Sequence, residues 1–203
     1  MTFLLNALQL VASGSSDTLL KLWDVSTGNE IDSIKREPSP ITTVAFSPDG
    51  KLVASTHVGG YANNKILIWD ISTGKLVSTF GHDGGNTIGS LSFSPDGKLL
   101  VTTNDFNDVE IKDVSTGQVK TRFRGGASLA FSPDSKLLST GGNDGKVNLY
   151  DVTTGKYLTS LVGHNQGDVK VTFNPTGKTL ASGNSDGEIR IWLLSDYLKS
   201  SGG

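Results

Sequence analysis

The feature that most constrains this chain is a phrase that it repeats. Phe-Ser-Pro-Asp-Gly-Lys starts at Phe46 and again at Phe93. It recurs as Phe131-Ser-Pro-Asp-Ser-Lys136 and a fourth time as Phe173-Asn-Pro-Thr-Gly-Lys178. The starts lie 47, 38 and 42 residues apart. A second marker keeps step with the first: Trp23-Asp24, Trp69-Asp70, Lys112-Asp113, Tyr150-Asp151 and Trp192-Leu193. A third, Ser/Thr-Thr-Gly, ends at Gly28, Gly74, Gly117 and Gly155. Three markers in fixed order along nearly the whole chain mean one supersecondary unit stacked about five times, each burying what its neighbour would otherwise expose.

Each unit reads as four short strands. The first ends on an aromatic with an apolar partner two residues before it, as in Val44/Phe46, Leu91/Phe93, Leu129/Phe131 and Val171/Phe173. That alternation buries one face of a strand. Ser-Pro-Asp-Gly then turns the chain: Pro presets φ, Asp bonds back to the backbone and Gly accepts φ > 0. A second strand follows, such as Leu52-Val-Ala-Ser55 or Leu180-Ala-Ser182. The third alternates again, with Ile66/Ile68 before Trp69 and Ile189/Ile191 before Trp192. A fourth closes the unit, as in Leu76–Phe80 and Tyr157–Leu161.

Composition agrees. The chain has 25 Gly, 24 Ser and 20 Thr against 8 Ala and 4 Glu, so turn and strand formers dominate and a helical bundle is excluded. The opening residues, Met1 to Ser13, carry a short apolar run like a secretory leader but lack its basic start. They read better as a degenerate first strand and a normal second one, because Leu10–Asp17 matches Leu180–Asp186. The expected layout is a repeat region over 1–198 and a frayed tail at 199–203. Its units span about 1–36, 41–82, 87–124, 127–164 and 168–198.

These residues resemble WD40 repeats. Trp-Asp ends the third strand, Gly81-His82 and Gly163-His164 precede the first, and the period is about 40–45 residues. The wording is similar to bacterial, notably cyanobacterial, members, and fungal proteins share it. The likeness covers roughly residues 5 to 195. It implies an all-β fold, a WD40 β-propeller of about five four-stranded antiparallel blades. Family blades are stiffened by a tetrad of His, second-strand Ser/Thr, turn Asp and Trp. The last repeat has the full set in His164, Ser182, Asp186 and Trp192, while the first has Ser13, Asp17 and Trp23. The fourth has Thr140 and Asp144 with Tyr150 in place of Trp. The third keeps His82 and Thr102 but carries Phe106 and Lys112 at the Asp and Trp positions. The second keeps Ser55 and Trp69, with Asn63 in the Asp register and no His before it. Blades two and three are therefore expected to be the weakest.

Catalytic constellations are missing. The Asp residues recur once per repeat, as structural turn residues do, whereas a catalytic carboxylate pair occurs once. No zinc-protease, nucleophile-elbow, phosphate-loop or dinucleotide fingerprint is present. Asn104–Asp108 offers oxygen ligands but lacks the Gly and distal Glu of a calcium loop, so neither metal nor cofactor is expected. The 18 Lys and Arg against 20 Asp and Glu, with no basic run beyond Lys35-Arg36, lack the footprint of a nucleic-acid or membrane-surface binder. The absence of Cys excludes disulfide and thiol chemistry and fits a cytoplasmic protein.

Function is therefore expected on surface loops. The resemblance implies that the loops leading into each first strand share a rim with the second-to-third-strand loops. That rim would carry His57, Tyr61 and Asn64 from an insertion, Asp83 and Asn86 from a Gly-rich loop, then Phe106, Arg124, Asn165, Gln166 and Asp168. The reading is a non-catalytic scaffold for a protein or peptide; the alternative is a regulatory or recruiting part of a larger enzyme or signalling protein. Closure stays open at this level. The segment 1–6 can complete blade one as its first strand or blade five as its last, but not both. The alternatives are a closed five-blade ring, an open assembly with self-associating edges, or part of a longer propeller.

Overall fold

In the computed structural model, residues 2–5, 10–34, 39–57, 65–84 and 87–198 are described. Five antiparallel sheets follow one another along the chain. Blade one comprises β1 (Thr2–Leu5), β2 (Leu10–Gly14), β3 (Leu20–Asp24) and β4 (Glu30–Ile34). Blade two comprises β5 (Ile41–Phe46), β6 (Leu52–His57), β7 (Lys65–Asp70) and β8 (Lys75–Gly81). Blade three runs through β9 (Ile88–Phe93), β10 (Leu99–Asn104), β11 (Asp108–Asp113) and β12 (Val119–Arg124). Blade four has β13 (Ser128–Phe131), β14 (Leu137–Gly141), β15 (Lys146–Asp151) and β16 (Tyr157–Val162). Blade five has three strands among the described residues, β17 (Val169–Phe173), β18 (Thr179–Asn184) and β19 (Ile189–Leu193), with a 3-10 turn at Leu194–Asp196.

The repeated phrases fold as local hydrogen-bond devices. In each Ser-Pro-Asp turn the serine hydroxyl donates to the Asp two residues on: Ser47 to Asp49, Ser94 to Asp96 and Ser132 to Asp134. The same serine oxygen accepts the amide that opens the next strand, at 2.9 Å in all three turns. Ser135 stands where the other turns have Gly and still adopts φ 62°. After the third strand, Asp24, Asp70, Asp113 and Asp151 each gather the amide and hydroxyl of the Thr three residues on. Hydrogen bonding to the charged form holds these carboxyls below the ordinary range, the Ser26 hydroxyl acting most strongly on Asp24.

The register settles where the first strand belongs. β1 pairs with β2, Phe3 opposite Ser13 and Leu5 opposite Val11, so it completes blade one, and blade five keeps three strands among the described residues. Blades meet face to face through apolar clusters, each shared by two neighbours. Leu20, Leu22 and Ile34 of blade one pack with Val44, Val53 and Trp69 of blade two, and similar clusters join two to three, three to four and four to five. Each buried aliphatic side chain contributes roughly 1.5–3 kcal/mol, so these faces hold the stack together. No cluster among the described residues joins blade five to blade one, and the propeller is open. No helix among those residues is long and apolar enough to cross a membrane.

Candidate functional site

Antiparallel pairing puts the loop before each first strand at the same end of the blade as the second-to-third-strand loop. In blade two, for example, Ile41 opens β5 opposite His57, which ends β6. The rim so formed is fastened by backbone bonds between the two loop types. The Asp105 amide donates to Thr87 and the Gly167 amide to Asn143.

Blade three contributes the most chemically varied part of this rim. Asn104 is buried and braces its loop from within: its Oδ1 accepts the amides of Phe106 and Asp108, each at 2.9 Å. That use of the side chain accounts for the Asn-Asp-Phe-Asn-Asp run as a turn. Phe106 is held at the tip, 54% exposed. Arg124 pairs across the strands with Asp108, and its Nε donates to the Asp108 carboxylate at 3.4 Å. Asp83 is exposed and joins the guanidinium of Arg122, whose Nε also reaches Glu110 at 2.7 Å. The Asp83 hydrogen bond, with the Glu110 charge behind it, raises the pKa of Arg122 further. Asp83, Asp108, Glu110, Arg122 and Arg124 line a cleft of about 380 Å³ together with Val109 and Phe123.

The leading loop of blade five carries Asn165, Gln166 and Asp168, all exposed. The Asn165 amide group donates to Asp186 at 3.4 Å across the rim. Tyr61, Asn64, Asn86 and the register residue Asn63 lie outside the described residues, as does the 199–203 tail.

His57 corrects the sequence reading. It is the last residue of β6, buried at 4% exposure, and not an accessible rim contact. Its Nε2 lies 3.0 Å from Ser55 Oγ, and its Nδ1 lies 3.3 Å from the Ser39 carbonyl. A carbonyl only accepts, so Nδ1 carries the proton and Nε2 accepts from Ser55. Ser55 Oγ in turn accepts the Trp69 indole N–H at 2.9 Å. Blade two therefore supplies from its own second strand the His that its leading loop lacks.

The bracing networks differ from the expected tetrads in their acidic member. In blade five His164 Nε2 meets Ser182 Oγ at 2.7 Å, and Trp192 donates to the same oxygen at 2.7 Å. The partner of His164 Nδ1 is Glu188, at 3.2 Å, and not Asp186. Arg190 and then His164 hold the Glu188 carboxyl below its usual pKa. In blade one Trp23 donates to Ser13 at 2.8 Å, while Asp17 is exposed and caps the Leu19 amide. Asp144 likewise caps Lys146 in blade four. There Tyr150 donates to the Arg124 carbonyl at 2.9 Å and stacks on Phe123 of blade three, 4.1 Å between centroids. In blades one and four the turn Asp caps a backbone amide, and in blade five Asp186 accepts the side-chain amides of Asn165 and Asn184 instead of a histidine.

Blade three replaces its network with charge. Lys112, at the Trp position, is buried against Glu110, itself buried, and Arg122 covers the pair from outside. With the lysine turned to Glu110, His82 Nε2 and Thr102 Oγ1 are left buried without a protein partner. Sequence reading missed Glu110, Arg122 and Glu188. The signal for the first was a Glu two residues before Lys112, which places both charges on one face of a strand whose other face carries Val109 and Ile111.

Against known proteins, the family model "WD domain, G-beta repeat" matches residues 119–151 and 155–192. A second, described as "Eukaryotic translation initiation factor eIF2A", matches residues 8–116, a little over half of the chain. Among curated relatives, the U3 small nucleolar RNA-associated protein 21 of Saccharomyces cerevisiae is 44% identical over 59 residues, 29% of this chain and 6% of that protein. The Cell division cycle 20.1 cofactor of the APC complex from Arabidopsis thaliana is 32% identical over 78 residues, 37% of this chain and 16% of its own length. A guanine nucleotide-binding protein subunit beta of Oryza sativa is 31% identical over 81 residues, 36% and 20% respectively. Each match thus spans at most a fifth of the relative concerned.

Proposed function

Since the chain belongs to the WD40-repeat proteins, we propose that it is a non-catalytic platform holding a protein or peptide partner on the blade-three side of its loop rim. Phe106 carries this reading. It is an apolar ring exposed at a tip whose backbone is fixed by the buried Asn104, so little conformational entropy is lost when a partner covers it. Arg124, paired with Asp108 at the end of the same loop, has a side chain 79% exposed, and aromatic and arginine side chains dominate interface energetics. The relatives' names, a cofactor of a complex and a subunit among them, support association and not catalysis.

Affinity capture with the wild type, Phe106→Ala, Arg124→Ala and Tyr61→Ala tests it. Truncating a hot-spot residue costs about 2 kcal/mol or more, a loss of roughly thirtyfold in affinity. Phe106→Ala and Arg124→Ala are expected to lose the partner. Equal recovery with both would reject the blade-three side. A second reading, that the rim recruits partners for a longer regulatory protein, is favoured by the small share of each relative that the matches span. A coding sequence continuing into another domain would support it.

A further inference from the structure

We propose that the bare face of blade five docks on blade one of a second copy of this chain, continuing the open propeller head to tail. The four interfaces within the chain follow one plan. The alternating pair on each third strand lies under the next blade: Leu20/Leu22, Ile66/Ile68, Val109/Ile111 and Val147/Leu149 are all at most 2% exposed. In blade five the same register holds Ile189 and Ile191, equally apolar and β-branched, yet 76% and 67% exposed.

The receiving face shows the matching gap. Opposite the Trp register on each second strand stand Val53, Leu100, Leu138 and Leu180, all 0% exposed. Val11 occupies this position in blade one, opposite Trp23, and both are only half-buried, whereas Trp69 in blade two is 2% exposed beneath blade one. Phe3 and Leu5 occupy the register of Val44 and Phe46, the first-strand pair that receives a neighbour in blade two. One chain therefore carries both an unfilled donor face and an unfilled acceptor face of a single kind of interface, at opposite ends of its stack. Among the described residues no core cluster brings them together. A second copy supplies each face with the chemistry it meets four times inside the chain. The contact is heterologous, so it closes into a ring or extends, depending on the rotation per copy.

Light-scattering mass of the full chain over a concentration series is the test. The wild type is expected to exceed the monomer mass and to rise with concentration. Ile189→Lys with Ile191→Lys removes the donor face and Val11→Lys the acceptor face, so each variant alone is expected to stay monomeric. A mixture retains one intact donor and one intact acceptor and is expected to stop at the dimer. A monomeric wild type at all concentrations, or a double-lysine variant that associates unchanged, overturns the proposal. So does a mixture that does not pair while both variants keep the wild-type denaturation midpoint. Should Val11→Lys unfold, quenching of wild-type indole fluorescence decides: dilution is expected to expose Trp23, and a concentration-independent response overturns it.

Discussion

His57 and Ser55 stand two residues apart on one strand, and their side chains meet at 3.0 Å, with Ser55 also receiving the Trp69 indole at 2.9 Å. Strand alternation puts residues i and i+2 on the same face, so a second-strand His is able to reach the serine that a leading-loop His reaches in blade five. His57→Ala is expected to destabilise the chain by about 1–3 kcal/mol, because Ser55 loses its acceptor in a buried site. A surface loop residue would change stability by no more than about 0.5 kcal/mol. Urea denaturation distinguishes the two.

The charged substitute in blade three has a different signature. Lys112→Ala leaves the buried Glu110 carboxylate with Arg122 still beside it, so it is expected to cost part of the roughly 3–5 kcal/mol lost when a buried charge is left wholly unpaired. Glu110→Leu combined with Lys112→Met, apolar and close in volume, is expected to be less destabilised than Lys112→Ala. The shift in urea midpoint for the two variants checks the order. Equal losses would mean that packing, not the lost lysine charge, sets the cost.

Acid sensitivity is expected to originate in the turn carboxylates. The Ser115 hydroxyl, aided by the Thr116 amide and Lys120, lowers the Asp113 pKa to about 2. An unfolded Asp titrates near about 3.9. The folded value is the lower one, so the contribution is fully present above about pH 4 and is lost as pH falls through about 2. Asp113→Asn is expected to flatten the stability profile between those limits, read from thermal midpoints at successive pH values. Asp24 and Asp70 are lowered in the same direction and by the same kind of turn.

Two glycines separate close packing from backbone conformation. A Cβ on Gly126 would lie 2.0 Å from the Gly141 carbonyl oxygen, where backbone must give way. Gly28 has φ +70° but nothing within 4 Å of a Cβ. Gly28→Ala is expected to cost about 1 kcal/mol, the left-handed penalty alone. Gly126→Ala is expected to cost more than that and to loosen the fit of the segment leading into β13 against the end of β14. Hydrogen exchange of β13 and β14 measures it.

What the sequence determined by itself was everything encoded within a repeat. Ser47 with Asp49, and Asp24 with Thr27, are bonds between residues two or three apart, so the phrase carries the geometry. The strand order and the Trp23–Ser13 pair follow from the same short spacings. Tertiary structure decided whatever depends on which neighbour is present. The acidic partner of His164 is Glu188, while Asp186 takes the amides of Asn165 and Asn184, and His57 is internal because β6 extends past the expected loop boundary. β1 joined blade one although the segment suited either end. The exposure of Ile189 and Ile191 was invisible in the repeat pattern, where they read like Ile66 and Ile68. A pattern records which face of a strand is apolar; only the stacking of blades decides whether another face covers it.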